Sequence, residues 1–256
     1  MRSSEPKEGD VIAVWFSSGA ASAVAAKRIV DKYGELCEVR VINNPIKEED
    51  EDNQRFLNDI SAWIGRTIEF ARHKKYPNAS VEEVWEEVGY MSGPYGASCT
   101  RLLKKGARQQ WEQDNHHDWI VMGFTAEEKR RAHLFSLTER SNFIPILVEE
   151  GITRVRCFQI LHDAGLELPR TYAIGWPNGN CPGCVKSASP TYWNFTRAHR
   201  PDVFASRAEQ SRRLGVRLVI YKGKRIFLDE LPEEAKGRSL KSMKMPECGL
   251  FCEERA

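Results

Sequence analysis

Cys181 and Cys184 enclose Pro182 and Gly183 as a Cys-x-x-Cys, in a stretch crowded with Gly175, Pro177, Gly179 and Pro190. Two thiolates at that spacing can bind one centre while the small residues between them expose backbone N–H groups to sulfur. This suits a tetrahedral metal or an iron–sulfur cluster. Cys248 and Cys252 form a second spacing, four residues apart, near the end of the sequence. Seven cysteines in 256 residues are too sparse, and odd in number, for a disulfide scaffold, so their spacing points to metal or redox chemistry in a reducing compartment. Cys37 and Cys157 sit in apolar surroundings and read as buried core thiols.

A second chemistry is written in Ser17-Ser-Gly-Ala-Ala-Ser22, a small-residue loop between the apolar run Val11–Phe16 and a helix-forming stretch from Ala23 to Val30. Such a loop gathers backbone N–H groups and a positive helix end around one point, which makes it an anion site. Ser17, Ser18, Gly19, Ala20 and Ser22 are the candidate phosphate-binding residues. The loop has neither the lysine of a Walker motif nor a G-x-G-x-x-G pattern. Lys186, just after the Cys-x-x-Cys, could neutralise a cluster or an anionic substrate. Lys129, Arg130 and Arg131 could reach nucleotide phosphates, and Arg101, Lys104 and Lys105 follow Cys99 on an expected helix. Seven Lys or Arg residues between Asp202 and Arg225 (Arg207, Arg212, Arg213, Arg217, Lys222, Lys224 and Arg225) offer a local basic surface for RNA or DNA. Nearby Tyr192, Trp193 and Phe195 read as core, and His116-His117 as a loop feature.

The elements that must hold these groups follow from periodicity. Val11–Phe16 reads as a strand covered on both faces, and the helix after it stops at Gly34. A second strand is expected over Cys37–Ile42. The acidic run Glu48 to Asp52 is expected to open a helix that continues through Trp63 and closes at Gly65. Strands at Thr67–Phe70 and Trp119–Met122, a helix at Val81–Val88, a helix from Asp202 to Leu214 and a hairpin around Lys222-Gly223-Lys224 complete the reading. The alternation implies an α/β fold, doubly wound around a mostly parallel sheet. The expected organisation is a nucleotide-binding core over 1–170 and a cysteine-bearing extension over 171–256, together one structural unit. A hydrophobic content of 41% supports a sizeable core, and a net charge of +2 excludes a strong overall basic field. With no apolar stretch of eighteen residues and a polar start, a soluble, cytoplasmic protein without membrane contact is expected.

Trp15-Phe-Ser-Ser-Gly-Ala-Ala-Ser22 resembles the phosphate loop of the adenine nucleotide alpha-hydrolase-like (PP-loop) superfamily, in particular its phosphoadenosine phosphosulfate reductase branch. Val121 to Glu128 is similar to the strand and acidic turn of that branch. Tyr172-Ala-Ile-Gly175 precedes the Cys-x-x-Cys as in the family, and Glu247-Cys-Gly-Leu250 resembles its C-terminal signature. The likeness runs over roughly residues 11 to 252. ATP-pyrophosphatase relatives carry Ser-Gly-Gly-x-Asp-Ser; here Ser18 stands for the first glycine and Ala21 for the metal-associated aspartate, while Phe251 replaces the signature's histidine.

The resemblance implies an adenine nucleotide, ATP or a sulfonucleotide, bound at the serine loop. It implies a [4Fe–4S] cluster whose upstream cysteine pair is reduced here to Ser98 and Cys99. Cys99, Cys181 and Cys184 would then need a fourth ligand from Cys248 or Cys252. Structural zinc and unligated thiols remain the alternatives. Cys248 is alternatively the nucleophile that attacks sulfur, with a thioredoxin-type protein restoring the thiol. The implied function is thiol-dependent reduction of an adenylyl sulfonucleotide. The alternatives are ATP-using sulfur insertion into nucleic acid, accessory to a mobile element or CRISPR/defence system, and a catalytically inactive nucleotide-binding adaptor. A homodimer is among the expected partners.

Overall fold

The computed structural model describes residues 5–93 and 96–240, and the chain divides into two compact units. Of these, the first comprises residues 5–45, 51–72 and 107–170; the second comprises 46–50, 73–93, 96–106 and 171–240. The cysteine-bearing unit thus draws on segments from the first half of the sequence as well as on residues 171–240.

In the first unit, five strands form one parallel sheet: β1 (Val11–Phe16), β2 (Glu38–Asn43), β3 (Ile68–Phe70), β4 (Trp119–Met122) and β5 (Phe143–Ile144). Their spatial order is β3-β2-β1-β4-β5, so the chain winds outward from β1 to one edge and returns to build the other. Alternation along β1 feeds both faces. Ile12, Val14 and Phe16 join the core formed with Ala23, Ala26 and Ile29 of helix α1 (Ala20–Tyr33), with Phe56 and Ile60, and with Cys157 and Leu161. On the other face Trp15 meets the Trp111 ring edge-on at 5.4 Å, and the Arg40 guanidinium lies 4.7 Å from that ring. Cover on both faces explains why β1 is an unbroken apolar run and makes the sheet doubly wound.

The acidic run opens the next helix as expected only through its last two residues, with Glu51 at the N-cap and Asp52 in the first turn. That helix spans Asp52–Ile64 and ends at Gly65 in the left-handed conformation (φ 64°). Glu48 and Glu49 instead belong to the second unit. Glu48 accepts from Ser80 Oγ (2.5 Å) and Val81 N (2.9 Å), at the start of helix Val81–Val88, and Glu49 accepts from Lys104 Nζ at 2.9 Å. At the helix start, Asp52 accepts from Arg55 and from the backbone N–H of Arg170, and the Arg55 guanidinium holds its carboxyl at about 2. A depressed carboxyl stabilises the fold above the ordinary carboxylate range, and that stability is lost as pH falls toward 2. Asp52→Asn should therefore be measurably less stable than the parent at neutral pH, with the difference vanishing near pH 2; urea titrations at both pH values test this.

The second unit has its own core, in which Trp85, Leu103, Trp176, Tyr192, Trp193, Phe204 and Leu228 are buried. Helices Pro190–His199 and Pro201–Arg213 each begin with proline, whose missing N–H costs nothing at that position. Strands Val219–Tyr221 and Lys224–Ile226 are joined by Lys222 and Gly223, both at positive φ, as a two-residue hairpin turn requires. Among the described residues, no helix is long and apolar enough to cross a membrane.

Candidate functional site

In an open parallel sheet, ligands bind beyond the carboxyl ends of the strands where the winding direction reverses, which here is between β1 and β4. Ser17, Ser18 and Gly19 leave β1 at that point and deliver the chain into α1, whose N-cap Gly19 supplies no side-chain hydrogen bond. The first-turn N–H groups of Ala20, Ala21 and Ser22 lack intrahelical acceptors, and no acidic residue stands in that turn. The hydroxyls shape the loop from within. Ser22 Oγ accepts from Ser17 N (3.1 Å), lies 3.1 Å from Ser17 Oγ and donates to Gly19 O (3.0 Å).

Ser18 is buried and carries φ 57°, a left-handed conformation that favours glycine. The loop thus holds Ser18 in a backbone that glycine adopts without a Cβ penalty. Asn43, at the end of β2, holds the loop by donating to Phe16 O (2.8 Å) and Ser18 Oγ (3.2 Å). Gly123 immediately follows β4, and a Cβ there would fall 2.6 Å from Ser22 N and 2.7 Å from Ser22 Cα. Neither Asn43 nor Gly123 was singled out from sequence as a loop-positioning residue. The available signal was only that each ends a strand flanking β1. Lys129 and Arg130 are exposed in the first turn of helix Lys129–Thr138, while Arg131 is paired with Glu128 at 2.7 Å.

Replacing Ser18 by Asp isolates charge from backbone, because Asp is among the residues that tolerate the left-handed region. Ser18→Asp should weaken ATP or sulfonucleotide binding by about tenfold or more while leaving the fold intact. Calorimetry with ATP, adenosine phosphosulfate and phosphoadenosine phosphosulfate reads the effect, and unchanged affinity would move the site elsewhere.

The cysteine centre is built within the second unit. Cys99, Cys181 and Cys184 line one cavity, together with Trp85, Lys104 and Arg207. Cys99 is buried just before a π-helical segment, Thr100–Gly106, whose i→i+5 repeat puts Lys104 on the same side as Cys99. The expected helix after Cys99 is thus present but wider than an α-helix. In the Cys-x-x-Cys loop, Gly183 has φ 69°, Cys184 N donates to Tyr192 OH at 2.7 Å, and Asn180 Nδ2 lies 3.8 Å from Cys184 Sγ. Burial pushes the Tyr192 phenol well above its usual range, so it stays neutral as that acceptor. Lys186 follows the loop, partly buried.

Among the described residues, no group of three or more His, Cys, Asp or Glu side chains is arranged as a metal site. Binding a centre would therefore require the three thiols lining the cavity to turn toward a common point. The donor chemistry fits a thiolate-bound centre. Trp85 and Arg207 are among the lining residues, and their Nε1 and Nε atoms are buried without a hydrogen-bond partner among the described residues. Cys248 and Cys252, the expected nucleophile and additional ligand, lie outside the described residues. Cys37 and Cys157 are buried, both within the core of the first unit.

The basic segment is less available than its composition implies. Arg207 is buried against Glu82 (2.5 Å), Arg212 pairs with Asp229 (2.7 Å) and Glu230, and Arg213 pairs with Glu86 and Glu209. Arg217, Lys222, Lys224 and Arg225 remain exposed on or beside the hairpin. Tyr192 and Trp193 are core residues.

No family model matches the chain, and no curated protein matches it. Among solved structures it is similar to the U34-tRNA thiolase NcsA from Methanococcus maripaludis with its [4Fe-4S] cluster, at 14% identity and a TM-score of 0.49, over 96% of this chain and 84% of that chain.

Proposed function

We propose that this protein is an adenine-nucleotide-dependent enzyme that handles sulfur at a three-cysteine centre, and that it inserts sulfur into nucleic acid. The observation that carries the reading is the gathering of Cys99, Cys181 and Cys184 on one cavity, two of them from the Cys-x-x-Cys loop and the third from the start of the π-helical segment. The three would hold an iron–sulfur cluster, or zinc in its place. Such a centre, held by these three thiolates, would supply a site for sulfide-level sulfur. The loop at Ser17 to Ser22 binds the phosphates through backbone N–H groups, while Lys129 and Arg130, and Lys186 after the Cys-x-x-Cys, are the cationic candidates that the sequence offers. ATP activates an oxygen of the target with release of pyrophosphate, and sulfur then displaces AMP. Arg217, Lys222, Lys224 and Arg225 supply cations for an RNA backbone.

Sulfonucleotide reduction is the second reading. It is favoured by Ala21 and by the absence of any acidic residue in the first turn of α1, which leaves that turn without a carboxylate for a magnesium ion. The two differ in products. Anaerobically purified protein given ATP, inorganic sulfide and RNA should release pyrophosphate and AMP and leave thiolated nucleoside. Given adenosine phosphosulfate or its 3′-phosphate and a thioredoxin, it should release no sulfite. Sulfite release that disappears in Cys248→Ser with metal content intact would replace the first reading by the second. Nucleotide binding with neither product would leave an adaptor.

A further inference from the structure

We infer that the hairpin of strands Val219–Tyr221 and Lys224–Ile226 is the docking element for the substrate, and that it holds an unpaired stretch of RNA by phosphates and base faces without regard to sequence; this rests on the nucleic-acid reading above. From Gly215 to Phe227 the chain carries Arg217, Lys222, Lys224 and Arg225 and no acidic residue. All four cations are exposed, and none pairs with a carboxylate among the described residues. On the preceding helix, by contrast, Arg207 is neutralised by Glu82, Arg212 by Asp229 and Glu230, and Arg213 by Glu86 and Glu209. Within this basic segment the uncompensated charge is therefore confined to the hairpin and to Arg217 beside it.

The hairpin is anchored at its base. Leu218 and Val219 on one side and Leu228 on the other are buried, Ile220 N donates to Ala188 O at 2.9 Å, and Arg225 Nη1 donates to Arg217 O at 3.2 Å. Ala188 lies four residues beyond Cys184, so the hairpin is tied to the segment that leaves the Cys-x-x-Cys. Across the two strands Ile220 faces Arg225 and Tyr221 faces Lys224. Ile220 is 43% exposed, and Lys222 Nζ lies 5.2 Å from the ring of the half-buried Tyr221. Phe227, also half-buried, has the guanidinium groups of Arg212 and Arg217 at 4.0 and 5.1 Å from its ring centre. Cations alone would suit any polyanion. Cations interleaved with aromatic rings suit unpaired nucleotides, because every base has a π face to stack and every phosphate a charge to neutralise. Paired bases hide those faces, and side chains do not read the deep, narrow groove of an RNA duplex.

The test measures binding of the full-length protein, without ATP or added metal, to two unstructured RNAs of unrelated sequence, each of about twelve nucleotides, over a range of salt. The parent should bind both alike. Lys222→Gln/Lys224→Gln should weaken both about tenfold and make the logarithmic salt dependence shallower by about 1.4, the share of two phosphate contacts on a single strand. Tyr221→Leu keeps an apolar side chain and deletes the π face; it should weaken binding about fivefold or more at an unchanged salt slope. Lys27→Gln/Lys32→Gln removes two charges from α1 and should bind as the parent does. Hairpin variants indistinguishable from the α1 variant overturn the inference, as does a parent that binds no RNA or prefers duplex RNA, DNA of the same sequence or polyglutamate. Should the double variant fail to fold, lysine acetylation of the parent decides the matter: RNA should protect Lys222 and Lys224, and equal modification with and without RNA rejects the docking role. Hairpin-dependent binding with neither pyrophosphate nor thiolated nucleoside formed would reject sulfur insertion and leave the docking role standing. Thiolation by the double variant at the parent's KM for RNA would do the reverse.

Discussion

Gly123→Ala is expected to abolish nucleotide binding and to destabilise the first unit by about 2 kcal/mol, the range of an overpacked core. The added methyl would stand 2.6 Å from Ser22 N, 2.7 Å from Ser22 Cα and 2.9 Å from Ala21 C. All three atoms are backbone, so no side-chain rotation can relieve the overlap. The first turn of α1 must move away from the end of β4, and with it go the N–H groups of Ala20, Ala21 and Ser22 that converge on the phosphate position. Gly65 provides the contrast. It is left-handed with φ 64°, and a Cβ there would meet nothing within 4 Å. Gly65→Asn, which tolerates that backbone, should therefore change stability by only a few tenths of a kcal/mol and leave binding intact. Urea titration and calorimetry with ATP measure both, and a Gly123→Ala protein that binds like the parent would remove the switch point from the site.

The second large effect concerns the three cavity cysteines. Single Cys99→Ala, Cys181→Ala and Cys184→Ala substitutions should each remove most of the bound iron or zinc, and the double variants should lose little more. A centre held by converging thiolates is emptied by the loss of one, so the effects cannot add. Cys157→Ala, in the other core, should keep its metal although it leaves a small cavity. Metal analysis and the visible spectrum of anaerobically purified protein decide this. Full metal content in all three variants would mean that the thiols do not act together.

Much of the fold was legible because its signals are local. The six-residue apolar run of β1, the small residues of α1, the strong amphipathic pattern of Val81–Val88 and the stop at Gly65 each appear where short-range periodicity and turn chemistry place them. The acidic run divides: Glu51 and Asp52 start the adjacent helix, while Glu48 and Glu49 serve partners far along the chain, Ser80 and Lys104, which no local pattern shows. The basic segment was overcounted for the same reason: Arg207 and Arg213 meet Glu82 and Glu86, more than a hundred residues earlier. The widened turn after Cys99 has no marker in Thr100–Gly106 at all.

The sequence by itself determined a parallel α/β sheet, a small-residue loop at the end of its first strand, and a Cys-x-x-Cys in a glycine- and proline-rich segment. These follow from residue type and spacing, which act over a few residues. Only the tertiary structure decided that Cys99 shares a cavity with Cys181 and Cys184, and that Asn43 and Gly123 set the serine loop. Each of these depends on burial, which brings together residues distant in sequence and makes an unpaired donor or an extra methyl costly.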